Sequence, residues 1–151
     1  MMTGYLKEKL GEVDRDAVIK DTVSLIDDEV SRKGGLSGMA LKTGYKAVKK
    51  LQNGRMIEKA VNRLLDDFTD ALAPLHDDYR EQDSVKGFDK FLSSKSDEAA
   101  SALLSITDKR AERADHKVLR STYNKLRGQA QKHVVDALPG VGRLIDKHVP
   151  S

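Results

Sequence analysis

Four lysines, Lys42, Lys46, Lys49 and Lys50, recur at spacings of three and four, which on a helix gathers their ammonium groups on one side, where they can follow a row of phosphates by charge alone. They belong to the most basic stretch of the chain: between Ser31 and Lys59 there are eight basic residues, the four lysines with Arg32, Lys33, Arg55 and Lys59, against the single acid Glu58. Tyr45 is the only ring nearby, so base stacking is not implied. Of opposite sign, Asp66, Asp67 and Asp70 put two carboxylates on one helical face, where hard oxygen donors could hold Mg²⁺. His76, Asp77 and Asp78 follow Pro74 and read as a surface cluster at a helix break. His116, His133 and His148 stand without cysteine, a paired histidine or HExxH spacing, and His133 falls near an apolar stripe, as a partly buried structural residue would. No serine has a G-x-S-x-G context and no lysine a phosphate-binding loop, which leaves acyl transfer and nucleotide hydrolysis without support.

Two short words resemble known families. Asp66-Asp67-Phe68-Thr69-Asp70 has the DDxxD spacing that resembles the magnesium and diphosphate site of helical isoprenoid synthases, a match over five residues. The reading preferred for these acids is a solvated face. Leu138-Pro139-Gly140-Val141-Gly142-Arg143 resembles the hairpin of helix-hairpin-helix DNA-binding modules, over about six residues. By that resemblance Gly140 and Gly142 would offer backbone N–H groups to a phosphate and Arg143 the charge, while the competing reading is a plain Pro-Gly turn that breaks a helix.

These groups need a scaffold, and 151 residues suffice for one domain that buries roughly 70% of its unfolded surface. A hydrophobic fraction of 38% beside a charged fraction of 34% suits helices that each bury one stripe and wet the rest. Cysteine is absent, which excludes disulfides, thiolate zinc sites and thiol nucleophiles and fits a reducing compartment. Lys7, Glu8, Lys9 and Glu12 interrupt the apolar run a secretory signal needs, and no window reaches the roughly 18 apolar residues of a membrane span. A cytoplasmic location and no membrane span are expected.

The net charge of +3 is unevenly spread: residues 1–30 and 60–101 are acidic, 31–59 and 102–151 basic. Unlike segments can dock on one another or await an acidic partner. Apolar residues recur at three and four throughout, the helical period. Ile19, Val23, Ile26 and Val30 predict a helix near 14–33 that stops at Gly34-Gly35, with a shorter turn before it around Leu6 to Leu10. Ala40, Gly44, Ala47, Val48 and Leu51 are expected on the packed side of the lysine helix, which Asn53-Gly54 ends. Ile57, Val61, Leu64, Leu65, Phe68 and Leu72 form the strongest stripe, so the segment near 55–72 is expected to be the central helix, with Ile19 to Val30 and Leu119 to Leu138 as its main neighbours. A kink or break is expected at Ala73-Pro74, a fraying end and loop over Asp77 to Lys86, a short helix at Phe88 to Leu92, a helix started by Ser94 and Asp97, a break at Asp115-His116 with Asp115 as cap, and a turn at Pro139-Gly140.

The expected fold is therefore all-α, one domain over residues 1–151 with short flexible termini and six or seven helices. The function expected is a non-enzymatic interaction protein with segregated basic and acidic surfaces, binding a protein partner or itself. The alternative is sequence-nonspecific nucleic-acid binding through Lys42, Lys46, Lys49 and Lys50, with Gly140, Gly142 and Arg143 as an auxiliary phosphate site. No metal and no cofactor is expected.

Overall fold

The computed structural model describes residues 5–149; residues 1–4 and 150–151, where flexible termini are expected, lie outside the described residues. Among the described residues there are eight helical segments and no strand: α1 (Tyr5–Gly11), α2 (Arg15–Ser31), α3 (Gly35–Lys49), α4 (Leu51–Gly54), α5 (Met56–Glu81), α6 (Phe88–Ser94), α7 (Ser96–Glu112) and α8 (Lys117–His148). The all-α reading holds, with eight segments in place of six or seven because short pieces such as α1 and α4 count as elements of their own. Asp14 caps α2, its carboxylate accepting from the Asp16 N–H at 3.0 Å. The stop at Gly34-Gly35 is as read: Gly34 precedes α3, and Gly35 has φ +73°. The single turn α4 is left-handed, with φ of 54° at Gln52, 59° at Asn53 and 83° at Gly54, and it reverses the chain between α3 and α5.

Neither proline ends its helix. Pro74 lies inside α5, which runs on to Glu81 through most of the stretch expected to fray. Its ring denies an N–H to the Asp70 carbonyl, but Pro74 and Asp70 are both exposed, and water can take the orphaned group. Burial of Leu72, Ala73, Leu75 and His76 on either side holds the helix together. Pro139 likewise lies inside α8, flanked by buried Leu138 and Gly140. The break near Asp115-His116 is present, but Asp115 does not cap: His116 occupies the cap position without a side-chain bond. Nor does Ser94 start α7; it ends α6, its hydroxyl donating to the Phe91 carbonyl at 2.7 Å.

The tight core is formed by Leu6, the second half of α5 (Leu72, Leu75, Tyr79), α6 (Phe88, Phe91, Leu92), Ala99 and the end of α8 (Leu138, Ile145, Val149). His76 is fully buried there, not on a surface cluster: its ring meets Phe88 edge-on at 4.8 Å and stacks on Tyr5 at 5.9 Å. Burial lowers its pKa to about 4. Of the neighbours expected for α5, α2 packs on it, whereas α8 packs chiefly on α6 and α7. The reason is Gly142: a Cβ there would lie 2.3 Å from the Asp89 Cα, so only glycine lets α8 approach the start of α6 this closely.

Candidate polyanion-binding face

The phase of α3 differs from expectation. Gly38 and Val48 are buried, and a Cβ on Gly44 would sit 2.7 Å from the Thr122 methyl of α8, so these small positions do set the packed side. Ala40 and Ala47 are exposed, because the helix is turned to bring Tyr45 inward. The outward side carries Leu36, Met39, Lys46 and Lys50, with Leu36 89% and Met39 65% exposed. Lys42 is half-buried at the margin.

The four lysines therefore separate. Lys49 is held internally: its Nζ lies 3.1 Å from the Asp27 carboxylate and 5.6 Å from the Tyr45 ring centre. The Tyr45 hydroxyl donates to the same carboxylate, which holds Asp27 below the usual carboxylate range, while burial and Asp27 push the Tyr45 hydroxyl up. Tyr45 is thus committed to a protein contact rather than offered to a base. Lys42, Lys46 and Lys50 form no ion pair among the described residues.

Beyond α4 stands a second basic group, of which the sequence reading counted Lys59 alone. The start of α5 supplies Lys59 and Arg63, one helical turn apart, and the end of α7 supplies Arg110 and Arg113. These four side chains, with His116 and Leu119, line a cleft of about 470 Å³ in which Asp115 is the sole acid among the lining residues. Lys59 reaches the Gln52 side-chain carbonyl at 3.3 Å, and none of the four cations has a carboxylate within ion-pair distance among the described residues. Arg110 and Arg113 also complement the negative end of α7. His116 Nδ1 is buried and without a partner beside them. Next along α8, Lys117, Arg120 and Lys125 line a shallow groove with Ser121 and Asn124.

One acid of this region, Asp108, is held by its own partners. Asp108 on α7 receives both Arg127 nitrogens, at 2.7 and 3.0 Å, and the Tyr123 hydroxyl, so its pKa falls while burial and the carboxylate push Tyr123 up to about 12. Helix direction explains the clustering. Gly44 lies at Thr122 while Lys33 reaches Asp136 at 3.0 Å, so α3 and α8 are antiparallel. The end of α3, the start of α5, the end of α7 and the start of α8 thereby share one end of the bundle. The signal in the sequence was the three-and-four spacing of Lys59/Arg63 and Arg110/Arg113, which a search for runs of lysine passes over.

Gly140, Gly142 and Arg143 do not form a hairpin, since all three lie within α8. A Cβ on Gly140 would be 2.4 Å from a Leu25 methyl, and Gly142 faces the backbone of Phe88 and Asp89, so both are packing glycines with no amide free for phosphate. Asp146, one turn on, accepts from the Phe88 N–H at 2.9 Å and anchors α6. Arg143 is exposed, but it lies 17 residues beyond Leu126, about 25 Å along the helix from the lysine face. It lines a separate groove with Asp21, Asp28, Arg32 and Lys147.

Asp66 and Asp70 do share a face of α5, and each is docked on a cation: Asp66 on Arg15 at 3.0 Å and Asp70 on Lys7 at 3.3 Å. Among the described residues no group of three or more His, Cys, Asp or Glu side chains is arranged to hold a metal ion, and no helix is long and apolar enough to cross a membrane. Residues 6–149 match a family described as a family of unknown function, DUF6918. No curated protein and no solved structure matches the chain.

Proposed function

The chain belongs to that family, which brings no activity with it, and we propose from the layout of charge that it is a non-enzymatic, cytosolic interaction module whose basic end holds the phosphate backbone of a nucleic acid without reading its sequence. The observation that carries this reading is the convergence of Lys59, Arg63, Arg110 and Arg113 on one cleft, with no carboxylate paired to any of them among the described residues. Lys46 and Lys50 on α3 and Lys117, Arg120 and Lys125 on α8 extend the field on either side. Guanidinium groups bind phosphate through two parallel N–H donors, and a spread of such contacts over three helices suits a polymer better than a single ion. With Tyr45 tied to Asp27, affinity would come from charge and depend strongly on salt.

The test is fluorescence anisotropy of a labelled duplex at low and moderate salt, comparing the native chain with Arg63→Gln/Arg113→Gln and with Arg143→Gln as the remote control. Binding that is weaker with the cleft pair and unchanged in the control supports the reading. Absence of binding at low salt sinks it. One observation favours a protein partner instead: Leu36 and Met39 stand exposed on the same outward side of α3 as Lys46 and Lys50. Sedimentation that shows a dimer dissociated by Met39→Glu would move the assignment there.

A further inference from the structure

The basic cleft is apolar beneath its charged rim. Met56, Ala60 and Leu64 recur every four residues along α5 and so form one stripe about 12 Å long, and Leu119 of α8 adds to the same lining. Met56 is buried and the other three are half-buried, whereas the two cations of α5 and the two of α7 are exposed, which sets the stripe back from the charges. Phosphate alone needs only the rim. A duplex turns its phosphates and sugars outward and keeps the faces of its bases stacked, so it would leave the stripe uncovered. In a single strand the bases are free to splay out, and one of them can bury its face on side chains recessed between the phosphate contacts.

Size narrows the occupant further. At the density of benzene in a dry cavity of about 150 Å³, the cleft's volume of about 470 Å³ holds about nineteen non-hydrogen atoms, against about twenty in one pyrimidine nucleotide unit and about forty in a base pair with its backbones. One unpaired nucleotide fits, and a base pair does not. Building on the nucleic-acid reading above, we infer that the cleft seats one unpaired nucleotide, its base against the Met56, Ala60, Leu64 and Leu119 stripe and its flanking phosphates on the cations of α5 and of α7, so that single-stranded nucleic acid is the preferred partner. No Phe, Tyr or Trp is among the lining residues, and the stripe itself carries no hydrogen-bonding side chain to read a base edge. Contact with aliphatic side chains therefore adds to affinity while leaving the base identity unread.

The test is fluorescence anisotropy of the full chain at about 50 mM salt with three labelled ligands of equal length: oligothymidine, an abasic strand with the same number of phosphates, and a duplex. Oligothymidine is expected to bind about tenfold more tightly than the abasic strand, since the two carry the same charge and only the first has bases to bury. It is also expected to shift the Met56 and Leu64 methyl signals in ¹³C-edited NMR, which the abasic strand should leave in place. Ala60→Phe fills the stripe and should bring oligothymidine down to the affinity of the abasic strand with the duplex unchanged; should it fail to fold, the abasic comparison and the methyl shifts decide without it. Equal affinity for oligothymidine and the abasic strand overturns the inference, and if the duplex still binds, the phosphate reading of the cleft stands without it. Absence of binding by all three ligands overturns both.

Discussion

Removing two of the four cleft cations should change the salt dependence of nucleic-acid binding by an amount that can be worked out beforehand. If Lys59, Arg63, Arg110 and Arg113 each neutralise one phosphate, log Kobs falls against log salt with a slope of about −3.6. A fourfold rise in salt, from about 50 to about 200 mM, then weakens binding about 150-fold. In Arg63→Gln/Arg113→Gln two contacts remain, the slope becomes about −1.8, and the same rise in salt costs only about 12-fold. Both arginines are exposed and in no ion pair among the described residues, so the double variant should keep its stability within about 0.5 kcal/mol, and circular dichroism would confirm an unchanged fold. Anisotropy titrations at four salt concentrations give the slope directly. A double variant that keeps the native slope refutes the cleft as the phosphate contact. If Lys46→Gln/Lys50→Gln lowers the slope instead, the lysine face of α3 alone carries the binding.

Three further expectations concern the scaffold. Gly142→Ala drives a methyl against the Asp89 backbone and should cost about 2 kcal/mol or more in urea unfolding, whereas Gly128→Ala, with open space around it in the middle of α8, should gain about 0.5–1 kcal/mol. His76 has a pKa near 4 when folded and 6.5 as its ordinary value, so the unfolded chain binds the extra proton between these values. Stability should therefore be full above about pH 6.5 and fall by about 3 kcal/mol towards pH 4, and His76→Phe should flatten that part of the profile, leaving a smaller slope from His133, which is shifted the same way. Asp108 is lowered by Arg127 and Tyr123, so its contribution is present above the normal carboxylate range and lost as pH falls through its lower folded pKa; Asp108→Asn should cost about 1 kcal/mol near neutral pH, since the pair is more than a third exposed, and almost nothing in strong acid.

The class of fold, the helices before Gly34 and Asn53 and the break near Asp115 were legible because helical periodicity and local backbone chemistry act within a few residues. The prolines misled for the opposite reason. Pro74 and Pro139 each remove one helical hydrogen bond, a local cost, and burial on both sides, at Leu72 and Leu75 and at Leu138 and Ile145, outweighs it through contacts that no local rule contains. The same holds for Gly140 and Gly142, which look like a turn in sequence and serve as close-approach points against α2 and α6. The lysine stripe was correctly placed on a helix, but its phase depended on Tyr45 turning inward to Asp27, which took Lys49 with it. The arginine cleft needed the pairing of α5 with α7, a relation between residues nearly fifty positions apart.

Internal docking and an exposed basic face, posed as alternatives for the alternating charge, prove compatible once pairs are assigned one by one. Two acids of α5 are held by α1 and α2, Asp70 by Lys7 and Asp66 by Arg15. On α2, α7 and α8, Asp27 is held by Lys49, Asp108 by Arg127, Asp136 by Lys33 and Asp21 by Lys147. Each such exposed pair contributes at most about 1 kcal/mol, so together they fix which faces meet more than how firmly. Their larger effect is electrostatic: every carboxylate neutralised within the chain is withdrawn from the field at the basic end, where Asp115 is the one acid that lines the cleft with Lys59, Arg63, Arg110 and Arg113. A basic cleft in a chain of net charge only +3 follows from that division, and reversal of one such pair, Lys7→Asp with Asp70→Lys, should leave both the fold and the cleft's affinity for phosphate nearly unchanged.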